Sequence, residues 1–208
     1  MLVLITMARD ATTTRERLLR AGEQRFARDG VAGAKLRDIV REAGQANDSA
    51  VGYHFGSRQG LLGAIAQRHV AAMDAARAEP RPDMSVLDLV DELVRPTADL
   101  LQTPEGRDFL RITEQLAGWA GLDREHLAGT IQDTVLGRQL RALEDALTPP
   151  LGRGVARART AEFALFVTAS LAQRARVLES GTRPPRSHEA YVRDLVAMLA
   201  AAVSAPGP

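Results

Sequence analysis

Apolar residues recur at intervals of three and four along most of the chain, and runs of strict alternation are scarce, so the pattern predicts helices rather than strands. Leu18, Leu19, Gly22 and Phe26 form one face of a first helix over Thr12–Arg28, which Asp29-Gly30 ends. A second, about two turns long, carries Leu36, Ile39, Val40 and Ala43 at i, i+3, i+4 and i+7 and stops at Gly44. Gln45-Ala46-Asn47-Asp48 supplies turn and capping chemistry, and Ser49–Phe55 forms a third helix with Val51 and Phe55 on one side. Gly56-Ser57 closes it and caps a fourth, Arg58–Ala78, which holds Leu62, Ala66, His69 and Met73 and ends before Pro80 and Pro82. Five longer amphipathic helices follow, over about Ser85–Leu101 (interrupted by Pro96), Glu105–Ala120, Glu125–Leu147, Val155–Ser180 and Ser187–Val203. The two loops that separate the last three contain Pro149-Pro150 and Pro184-Pro185.

The expected architecture is all-α: a small N-terminal helical unit followed by a helical bundle. Residues 1–11 read as a flexible lead-in, 12–57 as the small unit, 58–79 as a linking helix and 80–208 as the bundle. Composition agrees, with 45% apolar, 25% charged and only 4% aromatic residues. There is no cysteine, which excludes disulfides and thiolate metal sites and fits a reducing, cytoplasmic setting. No apolar run reaches the roughly 18 residues of a membrane span, and Arg9 follows the apolar opening too soon for a signal-peptide core.

Charge is unevenly placed. Between Ala8 and His69 eleven basic side chains face seven acidic ones, whereas the remainder is net acidic, although the whole chain is only +1. A basic N-terminal third points toward a polyanion. Catalytic signatures are missing from the sequence: there is no phosphate-binding glycine loop, nucleophile elbow or zincin motif. A di-iron bundle needs paired Glu-x-x-His motifs, and the nearest approach is a lone Asp123-x-x-His126. Asp88, Asp91 and Glu92 lie on the polar side of an amphipathic helix and read as solvated. No enzyme activity, metal or cofactor is expected.

Two short helices joined at Gly44, preceded by a longer one and buttressed by a fourth, have the plan of a helix-turn-helix. The second short helix carries Asn47, Ser49, Gly52 and Tyr53 outward, small or hydrogen-bonding groups suited to a major-groove edge. Lys35 and Arg58 flank it where phosphates would pass. His54 has two readings, as a DNA contact or as a core histidine beside Phe55.

The stretch Phe26-Ala27-x-x-Gly30, Leu36-Arg37-Asp38-Ile39-x-x-x-Ala43-Gly44 and Tyr53-His54-Phe55-Gly56-Ser57-Arg58-x-x-Leu61-Leu62 resembles the DNA-binding domain of the TetR/AcrR family of bacterial transcriptional regulators. The resemblance implies a three-helix DNA reader, a linking fourth helix and a helical effector-binding and dimerisation domain. It implies that Tyr53 and His54 meet the DNA backbone and that Arg58 is the basic residue opening the fourth helix. Three features depart from the family pattern: Ala34 stands where a capping Thr is common, the turn Gly44–Asp48 is one residue longer than usual, and Asp48 is anionic, serving as helix cap or accepting from cytosine N4.

The resemblance further implies double-stranded operator DNA as partner, a homodimer, and a small-molecule cavity between helices of the bundle. Walls from Phe109, Trp119, Phe163 and Phe166, with Thr113, Gln115 or Thr134 as polar orienters, would suit a mostly apolar ligand. The same aromatic set also reads as plain core. The last two helices, with Ala164, Ala169, Ala172 and Ala175 on one and Leu195, Val196, Leu199 and Val203 on the other, resemble the family's dimer interface. The expected function is a ligand-released repressor; the alternative is a helical protein-binding module that does not touch DNA.

Overall fold

The computed structural model describes residues 2–47, 49–118 and 131–207; these are helical wherever they form regular structure. The chain divides into two compact units, Met1–His69 and Val70–Pro208, and the division falls inside a helix.

The first unit holds α1 (Leu2–Asp29), α2 (Leu36–Glu42), α3 (Ala50–Phe55) and the larger part of α4 (Arg58–Asp74). Its core includes Leu18, Leu19, Phe26, Ile39, Val40 and Val51, which the periodicity selects, and Leu61 and Ile65 of α4, which lie beside the expected Leu62 and one turn apart. Gly22 lets α4 come close, since a Cβ there would lie 3.0 Å from Leu61 Cδ2. Charged groups close the seams. Arg25 on α1 donates to Asp29 at 2.9 Å and to Glu42 of α2 at 2.5 Å, and this bonding lowers the Asp29 pKa. Glu23, only 2% exposed, receives Arg68 and His69 from α4. α1 begins at Leu2, within the stretch read as a lead-in; no Gly or Pro precedes Gly22, so nothing in the backbone sequence interrupts the helix there.

The second unit contains α5 (Val86–Ala98), a 3-10 turn over Asp99–Gln102, α6 (Pro104–Gly118), α7 (Val135–Leu151), α8 (Arg153–Glu179) and α9 (His188–Ser204). Ser85 and Asp88 form a reciprocal capping box at the start of α5. The core joins Leu89, Val90, Leu93 and Val94 to Leu143, Leu147, Phe163, Leu171, Val192 and Leu199. Pro96 does not break α5. Its missing N–H leaves the Glu92 carbonyl without its helical donor, and the Arg77 guanidinium fills that place at 2.9 Å. Arg77 also donates to Thr97 Oγ1 and Gln139 Oε1, both at 2.9 Å, and burial pulls its pKa down to about 10.

Two boundaries and one face differ from the sequence pattern. α4 ends at Asp74, so Arg77 turns inward in the connection rather than riding a longer helix. Pro149 and Pro150 lie inside the last turn of α7, and the break comes at Gly152, whose φ of +80° an L side chain rarely adopts. Most of the residues expected as a dimer seam are core: Ala172, Ala175, Leu195, Val196, Leu199 and Val203 are buried within the chain. The larger side chains took the inward face, leaving Leu165, Phe166 and Met198 exposed on α8 and α9. No helix among the described residues is long and apolar enough to cross a membrane.

Candidate nucleic-acid interface

α2 and α3 are joined by seven residues, Ala43–Ser49. The turn opens as a Schellman-type stop, with Gly44 at φ +70° and the Gln45 N–H donating to the Val40 carbonyl at 3.0 Å. Asn47 then organises the approach to α3. Its Oδ1 accepts from the Ser49 backbone N–H at 2.9 Å and from Ser49 Oγ at 2.8 Å. A backbone N–H only donates, so the bond fixes which end of the Asn47 amide faces inward and leaves its NH2 outward. Asp48 lies outside the described residues.

Val51 anchors α3 in the core, and Phe55, one turn on, is half-buried beneath the Arg15 guanidinium, 5.1 Å from the ring centroid. That anchorage turns Gly52 and Tyr53 to the surface. Tyr53 is 82% exposed, and a Cβ built on Gly52 meets nothing within 4 Å. His54 is half-buried, with its ring edge-on to Tyr53 at 4.9 Å. Lys35 is exposed at the N-cap of α2 and makes no capping bond with its side chain. Lys35, Asn47, Ser49, Gly52 and Tyr53 are thus all exposed on the α2–turn–α3 segment, with His54 at its margin.

Arg58 departs from expectation. Its guanidinium turns inward, donates to the backbone carbonyls of Val31 and Ala34, and sits 5.2 Å from the centre of the Phe26 ring. Burial lowers its pKa from the ordinary guanidinium value. It holds the α1–α2 loop against α4, and a phosphate role does not suit it. A further cation on this segment is Arg37, exposed in the first turn of α2 and, like Lys35, without an ion pair among the described residues. By contrast Arg25, Arg28 and Arg41 are engaged by Asp29, Glu42 and Asp38.

The expected ligand residues do not assemble. Phe109 and Phe163 are buried, while Phe166 is 58% exposed, so the three do not line one wall. Thr113, Gln115 and Thr134 direct their side chains to backbone carbonyls of Leu110, Arg111 and Ile131, which occupies them locally. Trp119 lies outside the described residues. A surface groove does run between α5 and α9, but its lining, which includes Arg81, Met84, Leu87, Asp88 and Arg193, contains none of these residues.

Solved structures share this arrangement over nearly the whole chain. The fatty acid degradation regulator FadR of Bacillus halodurans superposes with a TM-score of 0.58 at 17% identity, covering 90% of this chain and 94% of that one. The TetR regulator SCO7222 of Streptomyces coelicolor gives 0.55 at 16% identity over 93% and 99% of the two chains. The fold is that of the TetR-family regulators. A further protein of that fold, a TetR-family regulator described as putative from a Rhodococcus species, gives 0.52 at 20% identity over 90% and 97%. In sequence, the chain is 30% identical over 78 residues to the HTH-type transcriptional repressor NicS of Pseudomonas putida. That match takes in 38% of this chain and 36% of the repressor, about a third of the relative's length. No protein-family model matches.

Proposed function

We propose that the protein is a homodimeric transcriptional regulator of the TetR family that places α3 of each subunit in successive major grooves of a near-palindromic operator. The observation that carries this reading is Tyr53, a large aromatic side chain held 82% exposed at the end of a row of hydrogen-bonding or small groups. A residue of that size is exposed at a helix surface without packing value, and an aromatic hydroxyl at a groove edge serves phosphate or sugar contact. Lys35 and Arg37, free of carboxylates among the described residues, supply the flanking positive charge. The TetR-type fold, the short match to a repressor, and the spacing of the motif residues support the same reading.

The exposed Leu165, Phe166 and Met198 on α8 and α9 favour a second copy as the partner of that face, which makes two readers and a two-fold operator. Release by an effector then requires a ligand with different affinity for two states of the dimer.

The test is enrichment of duplexes from a random-sequence pool, followed by footprinting of the enriched site. A protected site with two-fold symmetry is the expected result. Lys35→Ala then weakens binding to specific and non-specific duplexes alike and lowers the salt slope by about one, as loss of one phosphate contact does. Failure to enrich any duplex at low salt overturns the reading in favour of a protein-binding module.

A further inference from the structure

Gly52 is a glycine that the fold does not require. It is the third of the six residues of α3, its carbonyl accepts the Gly56 N–H at 2.9 Å, and its φ lies outside the left-handed region that Gly44 and Gly56 occupy. No neighbour crowds it either. A Cβ on Gly52 meets nothing within 4 Å, whereas one on Gly22 meets the Leu61 side chain and one on Gly60 the Phe55 carbonyl. A glycine in such a place weakens a helix, and alanine raises the folded-to-unfolded ratio about two- to fivefold. The bare Cα lies on the exposed side of α3, with exposed Ser49 one turn before it and exposed Tyr53 next to it. With the carbonyl engaged by Gly56, what Gly52 turns outward is an apolar surface without a side-chain donor or acceptor.

We propose that Gly52 is a specificity-determining position of α3, and that its missing side chain admits the C5-methyl group of a thymine. This inference rests on the DNA-binding reading above. Among the groups that the four bases present in the major groove, the thymine methyl is the apolar one; the others donate or accept hydrogen bonds. A methyl seated on a bare Cα lets the helix approach the base more closely than alanine allows, by about one carbon–carbon bond of roughly 1.5 Å. The short side chains of Asn47 and Ser49, just before α3, gain from the same closeness. A glycine that weakens its own helix is thereby explained by a contact the helix makes outside the chain.

The experiment takes the duplex enriched by the full-length wild-type chain and replaces each thymine in turn, in both half-sites together, by uracil, which removes only the methyl. At one position wild type is expected to lose roughly tenfold in affinity, the worth of two buried methyl groups. Gly52→Ala moves that methyl from the DNA to the protein. It is expected to bind the thymine duplex about thirtyfold more weakly than wild type, as overpacking at two contacts does. On the duplex with uracil at that one position it is expected to come within about threefold of wild type on thymine, a compensation that the double-mutant cycle reads. Its urea midpoint should rise, so that weaker binding is not a loss of fold. Gly63→Ala is the control: that exposed glycine of α4 has equally open surroundings, and alanine there should stabilise the chain and leave both affinities unchanged. The proposal is overturned by a Gly52→Ala variant that binds the thymine duplex as wild type does, or that loses the same factor as wild type on uracil at every position. A lowered urea midpoint overturns it too, because the fold would then need the glycine, and so does an enriched site without thymine. Each of these leaves the DNA-binding reading standing. If wild type enriches no duplex, that reading falls and the role of Gly52 falls with it.

Discussion

Tyr53 and Arg58 sit five residues apart in one sequence motif, and the fold uses them in opposite directions. Arg58 is committed to two carbonyls and an aromatic ring inside its own unit, while Tyr53 touches little besides His54. Arg58→Ala should therefore cost about 2–3 kcal/mol of stability, the range for charge-assisted hydrogen bonds to buried acceptors. Tyr53→Ala should stay within about 0.5 kcal/mol of wild type in urea unfolding, as exposed substitutions do. Binding of the enriched duplex should behave the other way round, with Tyr53→Ala abolishing the footprint of a protein that remains folded. A large stability loss at Tyr53 would return it to the core. The outward residues of α3 were legible in the sequence because Val51 and Phe55, at i and i+4, define the buried side. The orientation of Arg58 was not: its acceptors, Val31 and Ala34, lie 27 and 24 positions away in a loop, and nothing local announces them.

At the scale of elements, punctuation by single residues read well where one residue decides the backbone. Gly44 and Gly56 end α2 and α3 because a positive φ is needed there. Proline read less well. Pro149-Pro150 was expected to start a loop, but the last turn of α7 tolerates them, while Pro96 stays within α5 because a distant arginine replaces the donor it lacks. This last arrangement makes a measurable coupling. Arg77→Met leaves the carbonyl of Glu92 and the amide oxygen of Gln139 without their donor, while relieving the burial of a charge. The net loss should be about 2–4 kcal/mol. Pro96→Ala restores an N–H at the position that the Glu92 carbonyl expects. It should do little in the wild-type background and recover about 1 kcal/mol in the Arg77→Met background, which a double-mutant cycle by urea denaturation reads directly. Additive effects of the two substitutions would show that the guanidinium does not stand in for the missing amide.

For the whole molecule the question is which face of the last two helices is left over. Both α8 and α9 are apolar on more than one side, so periodicity alone did not distinguish the face that packs internally from the one that does not. The bulkier set, Phe163, Val167 and Leu171 with Leu195, Val196 and Leu199, is buried. What remains outside is Ala158, Ala161, Leu165 and Ala169, spaced as one helical stripe beside Phe166, and on α9 Ala197, Met198, Ala201 and Ala202. Scattered exposed apolar residues need no explanation, but a stripe of small side chains set with three large ones is suited to close helix packing against an identical surface. A glutamate in the middle of such an interface meets its own symmetry mate, so Phe166→Glu places two like charges together and strips each of water. The variant should sediment as a monomer at concentrations where wild type is a dimer, with an unchanged helical spectrum because Phe166 is mostly exposed and lies outside the buried core. Its affinity for the full operator should fall toward that of a single half-site, since linking two readers is what multiplies their separate affinities. A wild-type protein that sediments as a monomer, or a variant that remains dimeric, would move the symmetric contact to another face.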